Sequence, residues 1–108
     1  MNNNLQKLSK ILLELRSASI QADTGTIKDV MAKYDMLFLG GNFNCIYSVE
    51  LLHSLKKVFD FEVSNDELNN LIPIACKSLN MNFEPMVEVH NISNANAPAD
   101  CYSITLWE

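Results

Sequence analysis

The side chains in this sequence that could do chemistry are three cysteines, two histidines, a glycine pair and a short run of carboxylates. Cys45 and His53 suggest a thiol nucleophile and its base. Such a pair must sit within hydrogen-bond reach. If residues 45–53 form helix, eight positions separate the two by ~12 Å, so no catalytic pair is expected. Cys76, Cys101, His53 and His90 lack the close Cys/His spacing of a structural zinc site, and no metal is expected. "LGGN" (Leu39 to Asn42) has neither the glycine spacing of a dinucleotide site nor the lysine of a phosphate loop. It reads as a stop for the element before it. The expectation is a chain with no cofactor and no catalytic residue, and not an enzyme.

The carboxylates are Asp60, Glu62, Asp66 and Glu67, within "DFEVSNDE". A catalytic acid pair would need a pocket and perturbed pKa values, which a sequence does not display. A calcium hand would close on Glu67. Counting back, it would then need ligands at Lys56 and Val58 and a glycine at Phe61, so the loop chemistry is absent. Two readings remain: a solvated rim with a helix cap, or a docking patch for a basic partner. Met86 and Trp107 are a second pair of candidate partner-binding residues, because methionine and aromatic side chains are enriched at interfaces.

Net charge is −5, and the basic residues are seven lysines and the single Arg16. Phosphate and base-edge contacts rely on clustered lysine and arginine, so nucleic-acid binding is not expected. With 48% hydrophobic and 19% charged residues the chain can bury a core, and 108 residues suit one domain, 1–108. No apolar run approaches the ~18 residues of a membrane span. "MNNNLQKLSK" lacks a basic region followed by an apolar block. A cytoplasmic protein is expected. Three unspaced cysteines imply no disulfide framework.

These candidates must be positioned by elements that the apolar spacing predicts. Leu5, Leu8, Leu12 and Leu15 mark an amphipathic helix over 4–20, with Lys7, Lys10, Glu14 and Arg16 off the stripe. Thr26 is placed to cap a second helix carrying Ile27, Val30, Met31 and Tyr34. Leu37 to Leu39 could be the end of that helix or a short strand. "NFNCIY" (Asn42 to Tyr47) reads as a loop, after which Ser48 caps a third helix, Val49–Phe59, with Leu52, Leu55 and Phe59 on one face. "SNDE" (Ser64 to Glu67) is a capping box, in which Ser64 accepts from the Glu67 amide and Glu67 reaches back. Leu68, Leu71, Ile72, Ala75 and Leu79 continue the stripe, and Pro73 predicts a kink or a second helix. From Phe83 the period becomes two. Val89 opposite Ile104 and Val87 opposite Leu106 would make a hairpin around "NISNANAPAD" (Asn91 to Asp100), with Met86 and Trp107 on its other face.

"SVELLHSLKKVFDFEVSNDELNNL" (Ser48 to Leu71) resembles the second helix and following loop of acyl and peptidyl carrier proteins. Over 44–71 that resemblance implies a helical bundle. The family's prosthetic serine falls on Cys45, which cannot take its phosphate ester, so a carrier-like module here is a degenerate one. The order helix, extended Phe61–Val63, two helices and hairpin is similar to that of winged-helix domains. The fold expected is α+β, three to four helices followed by a C-terminal antiparallel hairpin. The function expected is a small acidic interaction module, such as an inhibitor, immunity or regulatory protein, binding a protein partner. A degenerate carrier module and a winged-helix transcriptional regulator are the alternatives.

Overall fold

The computed structural model describes residues 3–86 and 101–107. Among these residues the fold is α+β: four helices and a three-stranded antiparallel sheet. The order is α1 (Asn3–Gln21), α2 (Ile27–Tyr34), β1 (Cys45–Tyr47), α3 (Ser48–Lys57), α4 (Asn65–Leu79), β2 (Asn82–Met86) and β3 (Cys101–Thr105). No described helix is long and apolar enough to cross a membrane.

Helix α1 buries Leu8, Ile11, Leu12, Leu15 and Ser19, and leaves Leu5 half-buried at the edge of the core. It packs on α4. Asn4 Nδ2 donates to Glu67 Oε2 at 2.7 Å near one end, and Arg16 Nη1 donates to the Leu79 carbonyl at 3.4 Å near the other. Both contacts span 63 residues, so the two helices run in the same direction. Helix α2 starts behind Thr26 as expected, but the side-chain bonds lie in the turn before it. The Asp23 carboxylate accepts from the Thr26 and Gly25 amides at 2.9 and 2.8 Å, while the Thr26 hydroxyl accepts from the Asp23 amide at 3.0 Å. Asp23 and Thr26 therefore cap each other, and Thr26 makes no cap bond into α2.

The segment after α2 is neither helix nor regular strand. Asp35 ends the helix in the left-handed region, and Met36 and Phe38 turn inward. Leu39 forms a lone bridge with Cys45, closed by bonds of 2.7 and 3.0 Å. Gly40 makes that turn at φ +88°, where a Cβ would come within 2.9 Å of Asn44 Oδ1. Residues 45–47, expected as loop, are β1, with Ile46 fully buried.

Helix α3 begins directly at Ser48 rather than behind it. The Ser48 hydroxyl accepts from the Tyr102 amide at 2.8 Å, so this serine ties α3 to β3 and does not cap its own helix. The buried face of α3 is Ser48, Leu51, Ser54 and Leu55. That turns the helix away from the Leu52–Phe59 face, which is only half-buried. Ser54 can lie inside because its hydroxyl donates to the Tyr34 carbonyl at 2.6 Å. The Tyr34 hydroxyl donates to Glu14 at 2.8 Å, and burial together with that carboxylate pushes the phenol up to about 12.

Helix α4 is continuous through Pro73, so Pro73 does not start a second helix. An interior proline costs ~3 kcal/mol. Each large apolar side chain buried along α4 returns roughly 1.5–3 kcal/mol, and Leu68, Leu71 and Ile72 are buried, with the smaller Ala75 and Cys76 beside them. Burial also pushes the Cys76 thiol up to about 11.

The sheet order is β1-β3-β2. The expected hairpin is thus widened by β1, and the extended Phe61–Val63 contributes no strand. The register is corrected too. Ile104 faces Phe83 and Ile46, and Met86 faces Cys101, where Val89 was expected opposite Ile104. The slip is six residues, an even number, so odd-numbered residues such as Phe83 still face Ile104. Val87, Val89, His90 and "NISNANAPAD" lie outside the described residues. The core joins both layers: Leu8, Leu12 and Leu15 from α1, Leu51 and Leu55 from α3, Leu68 and Ile72 from α4, and Ile46, Ile104 and Leu106 from the sheet side.

Candidate functional site

The link between α3 and α4 displays the carboxylates singled out above. Helix α3 ends when the Val58 and Phe59 amides both bond to the Ser54 carbonyl, at 2.8 and 3.3 Å. Asp60 then takes φ +51°, a left-handed conformation that aspartate tolerates better than most residues. The reversal lets the Phe61 amide bond to the Leu55 carbonyl at 2.8 Å. From here the chain alternates: Phe61 and Val63 are 6% and 5% exposed, while Asp60, Glu62 and Ser64 face out. Ser64 starts α4 by accepting from the Glu67 amide at 3.0 Å. The Glu67 carboxylate is turned toward Asn4 of α1, not back over its own helix end as a full capping box would have it.

This path divides the four carboxylates. Glu62 and Glu67 line a depression of about 380 Å³ with Lys56, Val63 and Ser64. Asp60 lines a second one, of about 270 Å³, with Lys7, Lys10, Ile11, Phe59 and Phe61. Asp66 is exposed on the first turn of α4. The link therefore offers a ligand charge of both signs beside buried aromatic carbon. Lys7, Lys10, Phe59 and Phe61 did not stand out as site residues. The available cue was the spacing of Lys7 and Lys10, three apart and off the apolar stripe of α1, which puts them side by side on the helix.

Met86 and Trp107 are not brought together. Met86 pairs with Cys101, and six residues of extended chain separate Cys101 from Trp107, roughly 20 Å. Trp107 is half-buried against the core. Its indole Nε1 donates to Ser19 Oγ at 2.8 Å, and the fully buried Ser19 donates on to the Phe43 carbonyl. Asn44 Nδ2 donates to the Trp107 carbonyl at 2.7 Å, and the Leu106 amide donates to the Asn44 carbonyl at 2.7 Å. Trp107 thus fastens α1, the turn before β1 and the end of β3.

Cys45 and His53 take different partners. Cys45 Sγ lies 3.2 Å from Ser103 Oγ within the sheet, and His53 Nε2 lies 2.7 Å from Asp35 Oδ2 at the surface. Among the described residues, no group of three His, Cys, Asp or Glu side chains is placed to hold a metal ion. No family model, no curated protein and no solved structure matches the chain.

Proposed function

We propose that the chain is a small protein-interaction module, of the inhibitor, immunity or regulatory kind, built on a winged-helix-like scaffold. The strand order β1-β3-β2, with α3 and α4 inserted between β1 and β2, is the order that such a scaffold uses. The observation that carries the reading is the outward face of α4, the helix that would read bases in a nucleic-acid-binding member. That face presents Asn70, Ile74, Lys77 and Ser78, behind Asp66 and Glu67 at its start. Phosphate contact needs lysine or arginine, and one lysine behind two carboxylates does not supply it. Ile74 is 53% exposed, and an apolar side chain set beside Asn70, Lys77 and Ser78 suits a protein surface better than a phosphate backbone.

A photo-crosslinking amino acid at position 74, used in the cells the protein comes from, tests this. The expected result is one dominant protein adduct, absent when the crosslinker replaces Lys28 on the exposed side of α2. Adducts to nucleic acid would favour a winged-helix transcriptional regulator instead, and no adduct at all would remove α4 as the docking face. With the captured partner in hand, Asp60→Asn combined with Glu62→Gln tests the acidic link. If the link steers a basic partner, association slows several-fold at low salt and its salt dependence flattens, because steering is screened as the Debye length falls from ~10 Å at 0.1 M towards ~3 Å at 1 M.

A further inference from the structure

The depression between α1 and the end of α3 differs in kind from its neighbour across the link. Its floor is apolar: Ile11 and Phe61 are 8% and 6% exposed, and Phe59 is half-buried. Its rim carries Lys7 and Lys10, with Asp60 opposite, so its lining holds one net positive charge. The Glu62–Glu67 depression, with Lys56, holds one net negative charge. Neither Lys7 nor Lys10 takes part in an ion pair among the described residues, where the one pair is His53 with Asp35. Lys7 Nζ instead stands 5.5 Å from the centre of the Phe61 ring, which favours the ammonium beside the apolar floor.

We infer that this depression is a subsite for an acidic residue next to a bulky apolar one in a partner polypeptide. The apolar side chain enters between Ile11, Phe59 and Phe61, and its carboxylate neighbour meets Lys7 and Lys10. The inference rests on the protein-binding reading above and adds the chemistry of the segment that is bound. Size is compatible with a side chain: at about 270 Å³ the depression has room for the single anchor residue that enters a pocket at an interface hot spot. Charge selects the neighbour. An ammonium pair with one opposing carboxylate attracts an anion, and the opposite sign across the link orients the segment.

The test is an amide-resolved NMR titration of the full chain with a blocked glutamate–phenylalanine dipeptide at millimolar concentration. A blocked lysine–phenylalanine dipeptide is the control. The expected result is saturable shifts of the amides around Lys7–Ile11 and Phe59–Phe61, several-fold weaker for the control. Lys7→Gln with Lys10→Gln, both exposed positions, should weaken binding of the glutamate dipeptide roughly tenfold, about 1.4 kcal/mol for the pair. Asp60→Asn should strengthen it. Equal shifts for the two dipeptides, shifts elsewhere on the surface, retention in the double variant, or no shift would each overturn the subsite. The crosslink from position 74 reads protein binding separately, so a captured partner beside a silent titration removes this inference and leaves the function proposed above.

Discussion

The Trp107 junction and the Asp60–Glu67 link both stood out in the sequence as surfaces for a partner, and the molecule uses them in opposite ways. At the junction the indole nitrogen, the Ser19 hydroxyl and the Asn44 amide are all joined to groups of the chain itself. At the link, Asp60 and Glu62 face solvent, and Lys56, Lys7 and Lys10 across the two depressions are in no ion pair among the described residues. An aromatic side chain with a polar tip can serve as an anchor inside as readily as outside. What separates the two regions is whether the chain supplies the partner for that tip. Junction residues should therefore matter to stability, and link residues to binding.

The largest effect expected is at Trp107. Trp107→Ala removes a half-buried ring and the donor that satisfies Ser19, and should cost about 2–4 kcal/mol in urea unfolding, at the low end of or below the range for fully buried aromatics. As Trp107 is the one tryptophan of the chain, its fluorescence follows the junction directly, whereas circular dichroism follows the helices. Coincident transitions for the two signals in the native chain are expected. A fluorescence transition well ahead of the helices would show that the junction opens by itself, and would return Trp107 to the list of partner contacts.

Gly40→Ala comes next. The turn that carries Asn44 to Trp107 needs φ +88° and has no room for a Cβ, so the substitution should cost about 1–2 kcal/mol. A smaller loss would mean that Asn44 can move without releasing the strand end.

Ser64→Ala sits at the border of the two regions, since Ser64 caps α4 and also lines the Glu62 depression. Its loss should cost about 0.5–2 kcal/mol, and Glu67→Ala should cost less because Glu67 bonds to Asn4 across a half-exposed contact. The smallest effect belongs to Asp60→Asn with Glu62→Gln, which should leave the urea midpoint unchanged within error. A clear destabilisation there would make the link a structural element and erase the contrast with the junction.

What the sequence displayed well was local. The α1 stripe and the Ser64 start of α4 depend on residues three and four apart, and both are present. What it concealed depends on distant partners. Strand β1 has three residues, too few to show a period, and it exists because β3 lies beside it 58 residues later. Ser48 was expected as a helix cap, and neither Ser19 nor Ser54 stood out at all. All three are buried because Phe43, Tyr102 and Tyr34 each offer a backbone group to the hydroxyl, and no spacing rule announces such a pairing. Strand register slipped because alternation from Phe83 onward is compatible with several pairings of one parity. The candidate site was half legible: the carboxylates were visible as a run, but their separation into two depressions follows from the reversal at Asp60 and from lysines contributed by α1 some fifty residues earlier.

The central position of β3 has a consequence for how the protein comes to be made. Among the described strands, β1 and β2 are not neighbours, and each is hydrogen-bonded to β3. While a ribosome is still adding residues before Cys101, the four described helices have been synthesised, yet both outer strands lack their β3 partner and Ile46 lacks its neighbour Ile104. Unpaired strand edges invite contact with other chains, and contacts that span many residues form late. The three-stranded sheet can therefore close only once five residues have arrived, Cys101–Thr105.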